Sequence, residues 1–170
     1  MNLLACDRDP YHAATALADQ HLVRMCIEVP QILSAVGEAL KRPFYGAYPI
    51  QAPKDPAVVA AVNCPHFRTW LWTFGTAVSF EFQHRFAREN RAGEVTRQAE
   101  VLLEVPGGRL TWALAEFPST RFVDEKDPVS SCREYLREEY ADWATAGSPP
   151  MWTNAESPPW LRYLVCVSAA

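Results

Sequence analysis

Between Leu17 and Gln31 the chain reads LADQHLVRMCIEVPQ, in which His21, Arg24 and Glu28 stand at steps of three and four residues. In a helix such steps nearly complete whole turns, so the three side chains share one face. An imidazole, a guanidinium and a carboxylate in a row, with the amide of Gln20 adjoining, suit acid–base work on an anionic substrate. The same row also fits a solvated face closed by an i,i+4 pair between Arg24 and Glu28. Pro30 stands two residues beyond Glu28. A proline there removes one intrahelical hydrogen bond and is expected to kink the helix, which can turn a neighbouring carboxylate inward.

Three further groups could carry chemistry. Asp7-Arg8-Asp9 follows the apolar run NLLAC at 2–6. It reads either as a strand end presenting Asp7 to a cleft or as a turn in which Asp9 caps the next helix. HRFARENR at 84–91, with Arg97 beyond it, offers Arg85, Arg88 and Arg91 to phosphates. A solvated helix end is the plainer reading, because Glu89 and Glu94 dilute the charge. Trp70, Trp72, Trp143, Trp152 and Trp160 could stack on extruded bases, or simply pack the core. The chain has no Walker loop, no dinucleotide glycine fingerprint and no HExxH. Its cysteines, Cys6, Cys26, Cys64, Cys132 and Cys166, are scattered, with no CxxC or zinc spacing. They are expected to be reduced and mostly buried. No metal and no cofactor is expected.

These groups need elements to hold them. NLLAC is expected to be one short strand. Asp9-Pro10 supplies an N-cap and a first helical residue, opening a helix through AATALA. Leu22, Met25, Val29, Ile32, Leu33, Val36 and Leu40 recur at helical spacing and predict a core stripe over 18–41. Residues 42–56 hold four prolines and a glycine and read as loop. Helices are predicted over 57–63, 66–88, 94–104 and 127–147; 110–117 is ambiguous between helix and strand. Trp152, Trp160 and Leu164 are expected to pack the tail onto the body.

At 170 residues the chain is long enough for a sizeable core, and one domain over 1–170 is expected. A net charge of −4 is unlike the basic excess of most nucleic-acid binders. Yet all but three of its cations are arginines, which suit bidentate phosphate contact. No apolar run approaches the roughly 20 residues that a membrane span needs. MNLLACDRDP lacks the basic and apolar regions of a secretory signal, so a cytoplasmic protein is expected.

ALADQHL at 16–22, followed by Glu28-Val29-Pro30 and Ala35-Val36, resembles the catalytic helix of the bacteriophage pyrimidine-dimer DNA glycosylase family, of the endonuclease V type. The resemblance is strongest over residues 7–41. It implies that Glu28 takes the place of the family's essential carboxylate and that Arg8 stands where the family uses an arginine near its active site. It sets Asp7 where the family has an N-terminal threonine whose amine attacks the sugar. A carboxylate cannot form a Schiff base, so the departure implies base removal without strong strand cleavage. Ile27 and Gln31 replace two DNA-holding arginines of that family, which points away from the pyrimidine dimer as substrate. A second resemblance, over DRDPxxAAxxxxDQHLVRMxxExxQILSA, the WLW and EFxxRF region and DPVxxxREYxxxxYADWxxxxxPPxW, is to a widespread set of small phage proteins with no settled activity.

Together these readings predict a mainly α, compact single-domain helical glycosylase fold with a short N-terminal strand. The expected reaction is hydrolysis of the N-glycosidic bond of a damaged or hypermodified pyrimidine. A role in anti-phage defence, acting on glucosylated hydroxymethylcytosine, is suggested by analogy. Glu28 and Asp7 would be catalytic. Arg8, Gln20, His21 and Arg24 would bind substrate, and Arg85, Arg88 and Arg91 would bind DNA. The partner would be double-stranded DNA, without membrane or metal, and the protein a monomer. The competing expectations are a non-catalytic DNA- or protein-binding accessory factor on the same fold, and an enzyme of free nucleotides.

Overall fold

The computed structural model describes residues 3–49, 54–103 and 127–161. Six α-helices appear there: α1 (Pro10–Ala16), α2 (Asp19–Ala39), α3 (Pro56–Asn63), α4 (Pro65–Phe86), α5 (Arg91–Gln98) and α6 (Pro128–Thr145). Short 3-10 turns follow at Ala99–Leu102 and Pro159–Leu161. The mainly α expectation holds.

Asp-Pro pairs open three of the helices. Asp9 accepts from the Tyr11 and His12 amides, Asp55 from Ala57, and Asp127 from Ser130. In each case a proline occupies the first turn, where its missing N–H has no helical partner to lose. The α1 helix ends at Leu17, whose extended backbone, with that of Ala18, separates it from α2. Inside α2, Pro30 has no N–H to give the Cys26 carbonyl, yet the helix continues to Ala39. Ser34 Oγ donates to the Pro30 carbonyl at 2.7 Å and accepts from the Tyr48 amide at 3.0 Å, which ties the following loop to this turn.

The helices enclose one hydrophobic cluster. The expected α2 stripe, from Leu22 through Val36, is fully buried, and Leu40 packs at its margin. It lies against Trp70, Leu71, Phe74, Ala77 and Val78 of α4. The two helices approach closely at Gly75: a Cβ there would fall 2.6 Å from Val29 Cγ1 and 3.0 Å from Thr96 Cγ2 of α5. Trp152 packs partly buried and donates from Nε1 to the Ala16 carbonyl, so the tail docks as expected. Leu164 lies outside the described residues.

Two expectations change. Leu3 to Cys6 is buried but is not a strand, and none occurs among the described residues. The apolar run is accounted for by burial against the helices, without a ladder partner. The helix expected over 94–104 begins at Arg91, where Asn90 caps it, and tightens to 3-10 from Ala99. The ambiguous segment 110–117 lies outside the described residues. No described helix is long and apolar enough to cross a membrane.

Candidate functional site

The row on α2 faces α6. Arg24 Nε donates to Glu28 Oε1 at 2.7 Å, with side-chain exposures of 40% and 15%. The pair is therefore neither open to solvent throughout nor enclosed. The bonded Glu28 carboxylate raises the Arg24 guanidinium still further above its ordinary value. His21, one turn earlier, is only 3% exposed. Its Nδ1 lies 3.1 Å from the Tyr140 hydroxyl, and its Nε2 lies 3.0 Å from Glu139 Oε2. The second contact is close but out of line for a directed hydrogen bond. Tyr140 and Trp143 rings pack on the imidazole at 5.4 and 4.8 Å between centroids. Burial lowers the His21 pKa, and Glu139 opposes this.

Tyr135 stands one helical turn before Glu139. Burial first, then a hydrogen bond to Glu139, pushes its phenol up to about 12. Both Tyr135 and Glu139 act electrostatically on Arg24. The α2 row and the α6 pair therefore form one polar cluster: two carboxylates, a guanidinium, an imidazole and a phenol.

The sequence-predicted residues divide around this cluster. Glu28 and Arg24 belong to it. His21 belongs to it as an enclosed side chain, not as the substrate contact expected from its place in the row. Gln20 is exposed next to it. Asp7 is engaged elsewhere, because its Oδ2 accepts from Arg133 Nη2 at 2.7 Å and its Oδ1 from the Asp9 amide at 2.9 Å. It lines a cleft of about 750 Å³ with His12, His84, Arg133, Asn154 and Trp160. None of His21, Arg24 and Glu28 lines that cleft. Arg133 and Arg137 guanidiniums lie over the Trp160 ring at 5.7 and 5.6 Å from its centroid. Arg8 is exposed, and its carbonyl accepts from Trp70 Nε1.

The arginines expected on DNA also divide. Arg88 and Arg91 are exposed where α4 gives way to α5. Arg85 is not available: its side chain is fully enclosed. It donates to Glu81, to Asp19 and to the carbonyls of Leu17 and Thr15. Thr153 also donates to Asp19, and Asn154 donates to the Arg85 carbonyl. This arginine therefore clamps the α1–α2 junction and the tail to the end of α4. Its register was legible, since Arg85 lies seven residues from buried Val78 on the inward stripe of α4.

Sequence reasoning missed Tyr135, Glu139 and Tyr140. The i,i+4 spacing of Tyr135 and Glu139 within REYLREEY marked a shared helix face, but nothing local showed that the face meets α2. Burial raises the thiols of Cys26 and Cys132 to about 12 and that of Cys6 well above its ordinary value. These three are poor thiolate nucleophiles near neutral pH. Among the described residues no group of three or more His, Cys, Asp or Glu side chains is placed to hold a metal. No protein-family model, curated protein or solved structure matches the chain.

Proposed function

We propose that this protein is a DNA glycosylase that hydrolyses the N-glycosidic bond of a damaged or hypermodified pyrimidine and leaves an abasic site. The observation that carries the reading is Glu28: a carboxylate with 15% exposure, bonded to Arg24 on a helix face opposed by a second carboxylate-bearing helix. Its place in the DQHL–Glu-x-Pro pattern adds the family resemblance. The target nucleotide leaves the stack so that the bond can be reached, at a cost of a few kcal/mol. As the base departs, Glu28 stabilises the positive charge that grows on the sugar, as carboxylates do in glycoside hydrolysis. The C–N bond breaks with its electron pair leaving on the base, water adds to the anomeric carbon, and the proton that water gives up ends on the departed base. Arg24 contributes charge toward phosphate. Arg8, Arg88 and Arg91 are exposed cations that contact the backbone. An excised base modified with glucose, and a place in anti-phage defence, remain part of this proposal by analogy alone.

The test is base release from a panel of duplexes: plain, ultraviolet-damaged, hydroxymethylated and glucosylated. Abasic sites on one substrate, with strand breaks only after alkali, are expected. Glu28→Gln keeps shape and hydrogen bonding, and should abolish excision while DNA binding survives. Full excision by that variant would remove Glu28 from the mechanism. One observation favours a second reading, a non-catalytic binding factor: the Arg24–Glu28 pair is internally satisfied. Silence on the whole panel, with the protein folded and still binding DNA, would select it.

A further inference from the structure

We propose that helix α6 supplies a second carboxylate to the α2 site, Glu139, attracted electrostatically by a proton fixed on His21 Nε2, out of line for a directed hydrogen bond, and held by the Tyr135 hydroxyl. This rests on the α2 row being the reacting site, and it puts Glu139, as the carboxylate that orients water, in the place of second catalytic carboxylate that the sequence suggested for Asp7.

The proton positions follow from the donors and acceptors present. The Tyr140 hydroxyl oxygen accepts from the Ala18 amide at 3.0 Å, and a backbone N–H is only a donor. The hydroxyl keeps its own proton free to donate to His21 Nδ1 at 3.1 Å. On the other side of the ring, a carboxylate is acceptor-only when ionised. A bare Nε2 lone pair 3.0 Å from Glu139 Oε2 would be repelled, whereas an N–H there is attracted. Both sides therefore select the neutral imidazole with its proton on Nε2. At 3% exposure His21 cannot contact a substrate itself, so it is a positioning residue. Glu139 is 22% exposed as a side chain, while its Oε2, facing His21, is enclosed.

The groups facing His21 act in known directions. On α6, Glu139 raises its pKa; on α2, Arg24 lowers it and Glu28 raises it. Tyr140 and Trp143 cover the ring. Asp7 has Arg133 and a turn amide as partners, with no role in this arrangement.

The first measurement is nitrogen-detected NMR of the imidazoles in the full chain, with His12, exposed on α1, as an internal reference. The wild-type His21 should show a protonated Nε2 and a bare Nδ1 at pH 7. Glu139→Gln should lower its titration midpoint, and Arg24→Gln should raise it. A proton on Nδ1, or a midpoint indifferent to Glu139→Gln, overturns the proposal whether or not any base is released. The second measurement is turnover on the substrate found above. Glu139→Gln should lower kcat about a hundredfold, within the usual range for acid–base groups, with KM little changed. Glu139→Asp should recover part of it, and Asp7→Asn should stay near wild type. Full kcat in a folded Glu139→Gln, beside an inactive Glu28→Gln, overturns the assignment of Glu139 while leaving the glycosylase intact. A wild type silent on every duplex fails the glycosylase reading instead, and the NMR result then decides the placement of Glu139 alone.

Discussion

Replacing Arg85 with methionine separates a structural arginine from a nucleic-acid contact. The guanidinium donates to Glu81 Oε1 at 2.7 Å, Asp19 Oδ1 at 3.0 Å, and the Leu17 and Thr15 carbonyls at 2.8 and 2.9 Å. Methionine fills much of the volume but donates nothing. Two carboxylates, 14% and 12% exposed, are then left beside two carbonyls that have lost a donor. Summing four bonds would overstate the loss, because Asp19 still accepts from the Thr153 amide and hydroxyl. Breaking a buried ion pair by removing one partner costs about 3–5 kcal/mol. With a urea dependence of about 2 kcal/mol per molar, the unfolding midpoint should fall by about 1.5–2.5 M. Arg85→Met/Glu81→Gln should recover part of the loss, since one stranded charge is gone. The exposed Arg88→Gln and Arg91→Gln should each stay within about 0.5 kcal/mol of wild type. If the glycosylase reading is correct, these two weaken DNA binding and its salt dependence, while any Arg85→Met defect follows the unfolded fraction. A loss below about 1 kcal/mol at Arg85, or a folded Arg85→Met that specifically fails to bind DNA, would refute this account of the clamp.

Other perturbations test the packing and the cluster. Gly75→Ala should destabilise by about 1–3 kcal/mol in thermal or urea unfolding, because its Cβ would meet Val29 2.6 Å away in a packed interface; an unchanged midpoint would mean that α2 and α4 separate freely. Asp9→Ala should cost about 1 kcal/mol, since two amides of α1 lose their acceptor, and Asp9→Asn should restore most of it. Acidification should weaken the fold through His21. Its folded pKa lies below the ordinary value near 6.5, so the unfolded chain binds the proton more readily. That contribution is fully present above about pH 6.5 and is lost as pH falls through the folded value. Urea unfolding at several pH values should show a slope in this window that flattens in His21→Gln; an unchanged slope would place the titration elsewhere.

The sequence by itself determined the helices and much of their inward faces. Asp-Pro pairs and apolar spacing act within a few residues, so the cap at Asp9 and the stripe from Leu22 to Val36 were legible without a fold, while the cap at Asp55 was passed over inside a segment read as loop. The same local rules placed His21, Arg24 and Glu28 on one face, because helical geometry alone fixes that. They could not say what the face would meet. Glu139 reaches His21 across 118 positions of sequence, and only the packing of α6 on α2 brings them within 3.0 Å. Tertiary structure also reassigned two charges. Arg85 looked like its neighbours Arg88 and Arg91 in composition, but an inward register and two nearby carboxylates made it a clamp. Asp7 looked like a partner for Glu28, but Arg133, 126 residues away, engages it beside another cleft. Burial and long-range pairing decide what a polar side chain does, and neither is encoded within one turn of helix.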